Sequence, residues 1–178
     1  MKWLNYITTV SYMQLRKLDN IYDVDKLLLL YEMLDDNSNQ IMITSRGSSD
    51  LKDGVGSIFN YLPDDEWKWD TIHNVFASTY IEEIYNQLKT EWKIGRVRFM
   101  RMHQTNRALS FHYDDSIRLH IPIITNKDSW FMLADNSMHQ MDQLGRLYYL
   151  DATQNHSALM LSRREDRVHL VFSVSPKI

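Results

Sequence analysis

Two registers of hydrophobic spacing divide the chain near Gly95. Before it, apolar residues recur at helical intervals. "DVDKLLLLYEML" (residues 23–34) opens on an aspartate placed to cap, runs on as a leucine-rich body and ends at the breaker "DDNSNQ". In "STYIEEIYNQLKTEW" (residues 78–92), Ile81, Ile84, Tyr85, Leu88 and Trp92 mark one helical face, with Thr79 and Glu82 as a capping-box pair. That stripe reads as a helix packed against a sheet. Between the two lies "SRGSSDLKDGVGSIFNYLPDDEWKWD", rich in Gly, Ser and Asp, which predicts a long loop, either solvated or lying over a site.

After Gly95 the period shortens. "RVRFMRM", "SFHYD", "IRLHIPII", "SWFMLAD", "GRLYYLD", "HSALML" and "RVHLVFSV" are short alternating or β-rich runs, separated by turn residues such as Asn106, residues 126–128 and Gly145. This spacing predicts an antiparallel sandwich or barrel. The simplest architecture is a mainly β (α+β), jelly-roll, cupin-like single domain over residues 1–178. In it, residues 1–94 supply N-terminal strands and buttressing helices, and residues 95–178 the β core.

Composition narrows the chemistry. Hydrophobic residues at 44% and aromatics at 12% place the chain among globular proteins. A net charge of −3 leaves no basic footprint for nucleic acid. With no cysteine, neither a disulfide framework nor a thiolate metal site is available, so any metal must be held by histidine and carboxylate. "MKWLNYITTVSYMQL" has no leader-like apolar core, and "KLLLLYEML" is far shorter than the ~20 residues of a membrane helix. The expectation is a cytoplasmic protein with no membrane partner.

Candidate ligands stand in "FHYDDSIRLHIP" (residues 111–122). On a strand His112 and Asp114 share a face, and a histidine plus a carboxylate at that spacing begins a facial triad for non-haem iron. The third ligand is open among His73, His103, His139, His156 and His169. Arg118 and His120 share one face of their run, with Ile117, Leu119, Ile121 and Ile123 opposite. Arg167 and His169 repeat the layout against Val168, Leu170, Phe172 and Val174. Each is either a solvated edge-strand face or the lining of a polar cavity; in a cavity, a buried arginine requires an anion, best a bidentate carboxylate.

In order and spacing, "FHYDDSIRLHIPIIT", "GRLYYLDATQNHSA" and "DRVHLVFSV" resemble the aspartyl/asparaginyl β-hydroxylase family over about residues 95–174, and are similar to the bacterial proline cis-4-hydroxylases. The resemblance implies a double-stranded β-helix and an Fe(II)- and 2-oxoglutarate-dependent dioxygenase. Such an enzyme uses O2 to hydroxylate an amino-acid side chain of Asp, Asn or Pro type, free or in a peptide, and releases succinate and CO2. It implies His112, Asp114 and His156 as iron ligands and as the catalytic set. Arg167 would take the distal carboxylate of 2-oxoglutarate, with Arg118 and His120 beside it. Some family members lack the acidic ligand; Asp114 here favours the full triad, and Asp115 reads as a turn or surface residue. Two rivals keep the barrel. One is a cupin-like small-molecule or sugar binder using Trp67, Trp69 and Trp130 as stacking surfaces; the other is a cupin isomerase or thiol dioxygenase, which has no use for a dicarboxylate clamp such as Arg167.

Overall fold

The computed structural model describes residues 13–56, 63–105 and 108–177. Asn106 and most of the N-terminal stretch read as leaderless lie outside these. In chain order the elements are β1 (Leu15–Ile21), α1 (Val24–Glu32), β2 (Gln40–Met42), β3 (Thr44–Ser45), a 3-10 turn (Pro63–Lys68) and β4 (Thr71–Ile72). A second 3-10 turn (Asn74–Phe76), α2 (Tyr80–Leu88), β5 (Trp92–Met102), β6 (Ile117–Ile124) and β7 (Ser129–Met132) follow. The chain ends through β8 (Met138–His139), β9 (Arg146–Leu150), β10 (Ser157–Met160) and β11 (Arg167–Pro176).

The fold is mainly β. Six antiparallel strands form the main sheet in the order β1-β9-β6-β11-β5-β2, and three form a smaller one, β10-β7-β8. Neither closes on itself, so of the expected sandwich or barrel the fold is the sandwich, an open pair of sheets. Strand alternation explains the layering. Leu119, Ile121 and Ile123 of β6, with Val168, Leu170, Phe172 and Val174 of β11, point to one side and join Leu27 of α1 and Ile81, Ile84, Tyr85 and Leu88 of α2 in one core. Each such side chain contributes about 1.5–3 kcal/mol on burial, which fixes which face meets the helices.

The opposite face of the main sheet is covered as well. Phe131 of β7 stands edge-on to His120, stacks on His169 and lies 4.9 Å from the Arg167 guanidinium. Arg118, His120, Arg167 and His169 are all buried, and β6 and β11 are interior strands, which excludes the solvated edge-strand reading.

Local expectations held unevenly. Asp23 caps α1, accepting from the Lys26 amide at 3.2 Å. At α2 the capping box is half formed and displaced: the Thr79 hydroxyl donates to the Phe76 carbonyl at 2.7 Å, while Glu82 accepts from the Ser78 amide at 2.6 Å. Trp92 begins β5 rather than ending the helix. "SFHYD" forms no strand; it holds a single bridge, between His112 and His156. The described part of the long loop is far from fully solvated. Trp69 is buried and donates to the Asp53 carbonyl at 2.9 Å, and Glu66 is 1% exposed. Gly95 makes this possible: a Cβ there would lie 2.6 Å from the Glu66 carbonyl, so only glycine lets the 3-10 turn press onto β5.

Candidate active site

His112 and His156 are joined through the backbone before their side chains meet. Each amide donates to the other's carbonyl, at 3.0 and 2.8 Å, and the Asp114 amide donates to the Ala152 carbonyl at 2.7 Å. Residues 108–114 are thereby zipped along residues 152–159, with a second bridge from Ala108 to Leu159. Asp151 shapes the turn before His156, accepting from the Thr153 hydroxyl at 2.5 Å and from Gln154 Nε2 at 2.7 Å. Gln14 clamps the turn from outside, donating to the carbonyls of Asp151 and Asn155 at 3.2 and 3.1 Å.

This backbone frame brings ligand atoms of His112, Asp114 and His156 within 4.8 Å of one another. His112 Nδ1 lies 2.6 Å from the Ser110 carbonyl, and His156 Nδ1 lies 3.0 Å from the Gln154 carbonyl. A carbonyl only accepts, so each Nδ1 carries the proton and each Nε2 keeps its lone pair for a metal. Burial pulls His156 below the ordinary histidine range, which favours that neutral form. Asp114 accepts from Arg118 Nε on Oδ2 at 2.9 Å, while Oδ1 faces His112 Nε2 at 3.8 Å. Two imidazole nitrogens and one carboxylate oxygen form a donor set suited to a divalent transition metal with open positions.

The triad sits on a cavity of about 800 Å³ between the two sheets. Its floor is the polar face of the main sheet: Arg96 and Arg98 of β5, Arg118 and His120 of β6, and Arg167 and Val171 of β11. Glu66 sits beneath one end. Its carboxylate accepts from Arg96 Nε at 3.1 Å, Ser116 Oγ at 3.0 Å, Arg118 Nη1 at 3.2 Å and Ser173 Oγ at 2.5 Å. Burial alone would raise this carboxyl; Arg118, Arg96, the Ser173 hydroxyl and Arg98 together hold it at about 2.

Two guanidinium groups in the cavity have no carboxylate among the described residues. Arg98 donates only to neutral oxygens, Gln40 Oε1 at 3.1 Å and the Gly56 carbonyl at 3.4 Å, and its Nε is unpartnered. Burial, with Arg96 and Arg118 nearby, lowers it to about 9. Arg167 has no partner on Nε or Nη1, and burial lowers it to about 10. His120 and His169 approach each other Nδ1 to Nδ1 at 3.4 Å, and burial keeps both well below the usual range.

The expected residues are thus brought together: His112, Asp114, His156, Arg118, His120 and Arg167 all line this cavity. His169 stands behind His120. His73, His103 and His139 take no part in the candidate metal cluster found among the described residues. Arg118 is the exception in role. Its Nε and Nη1 are committed to Asp114, Glu66 and Ser116, which ties it to the metal carboxylate more than to a co-substrate. Asp115 is an exposed bend residue at the cavity mouth. Trp67, Trp69 and Trp130 are not among the residues that line the cavity. Sequence reasoning missed Arg96, Arg98 and Glu66. The first two were legible, since "RVRFMRM" alternates arginine with Val97 and Phe99 in the manner of β6 and β11.

Comparison with known proteins fixes the family. The profile of the aspartyl/asparaginyl beta-hydroxylase family matches residues 68–176, well over half of the chain. The chain belongs to this family. Membership makes it a metal-dependent oxygenase of hydroxylase type. Among curated proteins none matches. Solved structures similar to this β-hydroxylase-family chain include IDO from Bacillus thuringiensis, 13% identical, covering 87% of this chain and 82% of that one at a TM-score of 0.49. Another is a non-heme monooxygenase, ThoJ, in a nickel complex, 11% identical, covering 93% and 76% at a TM-score of 0.49. The family match takes in every strand from β4 onward and all three candidate ligands, whereas Glu66 precedes it. Among the described residues no helix is long and apolar enough to cross a membrane.

Proposed function

We propose that this protein is an Fe(II)- and 2-oxoglutarate-dependent hydroxylase acting on an amino-acid side chain of Asp, Asn or Pro type, free or in a peptide. One observation carries the reading: Arg167, 4% exposed and without a carboxylate partner among the described residues, lines the same cavity as His112, Asp114 and His156. A buried, unpaired guanidinium is a standing cost unless a ligand brings the anion, and its planar fork matches a carboxylate. A dicarboxylate co-substrate with one end at the metal and the other on Arg167 accounts for it.

His112 and His156 would hold the metal through Nε2, and Asp114 through Oδ1. Iron bound there, with 2-oxoglutarate and O2, supplies oxidative decarboxylation to succinate and CO2 coupled to hydroxylation of an unactivated C–H bond. Arg167 orients the distal carboxylate, and Phe131 over it excludes water and strengthens that pairing. His120, held neutral by burial, leaves an unpartnered Nε2 as a hydrogen-bonding group beside the co-substrate. Arg98 stands on β5 opposite Val171, four residues along β11 from Arg167 and therefore about 13 Å further down the strand. That leaves it for an anionic group of the substrate rather than for 2-oxoglutarate. This arrangement favours an acidic substrate side chain or a free α-carboxylate.

The test is anaerobic calorimetry with Fe(II) and then 2-oxoglutarate. Succinate release is then measured against free amino acids and short Asp-, Asn- and Pro-containing peptides. Binding of both ligands and substrate-stimulated succinate are expected; binding of neither ligand overturns the reading.

A further inference from the structure

We propose that Glu66 is a positioning residue for the metal centre, holding Arg118 so that Asp114 keeps one oxygen turned to the two histidines. The inference rests on the metal-site reading above and extends it to a residue outside the family match. Arg118 touches three partners: Nε lies on Asp114 Oδ2 at 2.9 Å, Nη1 lies on Glu66, and the Ser116 hydroxyl is beside Nη1. Glu66 is in turn fixed by Arg96 and by the hydroxyls of Ser116 and Ser173, all buried.

The geometry matters because a guanidinium and a carboxylate left to themselves pair bidentately, taking both oxygens. In the structure Arg118 meets Asp114 through Nε on Oδ2, and Glu66 and Ser116, holding Nη1 on the opposite edge of the guanidinium, fix the group in that position. Oδ1 then stays on the histidine side, 3.8 Å from His112 Nε2. Charge points the same way. Arg96, Arg98, Arg118 and Arg167 line the cavity, and among the described residues the carboxylates they meet as ion pairs are Glu66 and Asp114. Without Glu66 the whole demand for an anion in this corner falls on the metal ligand. The docking of the 3-10 turn at Gly95 delivers Glu66 to this position.

The experiment titrates the metal-free protein anaerobically with Co(II), following heat and the visible absorption of the bound ion. Glu66→Gln is expected to weaken Co(II) by about 10- to 100-fold and to alter its absorption. Leu88→Ala, in the core on the helix side of the sheet, touches none of these groups and serves as the stability control: it lowers Tm while leaving Co(II) affinity within about twofold. Glu66→Asp keeps the charge, and so the fold, but withdraws the carboxylate by one methylene; it weakens Co(II) severalfold. In an Asp114→Gly background, Glu66→Gln has no further effect, because the residue acts through Asp114. Unchanged affinity and absorption in both Glu66 variants overturn the proposal, as does an equal loss with and without Asp114. Failure of the wild type to bind Co(II) instead overturns the metal-site reading on which the proposal rests.

Discussion

Replacing Arg167 with methionine removes a charge that the fold holds at a cost. Burial pulls the guanidinium from 12.5 to about 10. At about 1.4 kcal/mol per tenfold change in proton affinity, the folded protein carries that charge about 3 kcal/mol less favourably than the unfolded chain does. A cation whose folded pKa is depressed destabilises the fold wherever it is charged in both states, so the full cost is present at neutral pH. Methionine of similar length relieves it and forfeits the guanidinium contact with Phe131, 4.9 Å from the ring centre, worth about 1 kcal/mol. The net gain is about 2 kcal/mol, or a Tm increase of about 4–8 °C for a chain of this size. The ligand response moves oppositely. With Mn(II) in place of Fe(II), 2-oxoglutarate at a hundred times its Kd adds about 2.7 kcal/mol to the wild type and no resolvable increment to the variant. Scanning calorimetry of both proteins with and without 2-oxoglutarate reads all four values. A variant less stable than wild type would mean that Arg167 has a native anion; a variant still stabilised by 2-oxoglutarate would remove it from the co-substrate site.

Acid should destabilise the fold from a known threshold. His120 and His169 are held neutral by burial, well below 6.5, whereas in the unfolded chain they take up protons as pH drops through that value. Each therefore removes about 1.4 kcal/mol per pH unit below about 6.5, and His73 and His156 add in the same direction. Urea unfolding at pH 7.5 and 5.5 measures the slope; His169→Leu should remove one histidine's share, and an unchanged slope in that variant refutes the attribution. His156→Ala should abolish metal binding while Arg167→Met keeps it, as followed by Co(II) titration; equal metal affinity in His156→Ala and wild type removes His156 from the ligand set. Gly95→Ala puts a methyl group 2.6 Å from the Glu66 carbonyl and 3.0 Å from the Trp67 ring, at a cost of about 1–3 kcal/mol. An unchanged urea midpoint would show that the turn does not need this close approach.

Alternation in β6 and β11 was enough to read both strands and their two faces from the chain, because a period of two assigns every side chain a side. The same rule applied to β5 would have exposed Arg96 and Arg98. The helices were legible by spacing, and Asp23 by its capping chemistry, but the Thr79–Glu82 pair was not settled, since hydroxyls and carboxylates at a helix start have several backbone partners within reach. The ligands His112 and Asp114 were read as a strand pair. They sit instead on an irregular segment bridged to His156, so what brings them together belongs to residues more than forty positions away.

What the sequence determined by itself was the β-rich architecture, the absence of thiolate ligands and the set of histidines and arginines from which a site can be built. Which face of a strand is wet, and which arginine has a partner, only the tertiary structure decided. Polarity along a strand is the same whether the face meets water or a second sheet. The small sheet over β6 and β11 turned that face into a cavity, and the docking of Glu66 at Gly95 paired Arg96 and Arg118 while leaving Arg98 and Arg167 with no carboxylate among the described residues. Charge balance inside a protein is set by what three-dimensional packing brings within a few ångströms, and no local pattern encodes that distance.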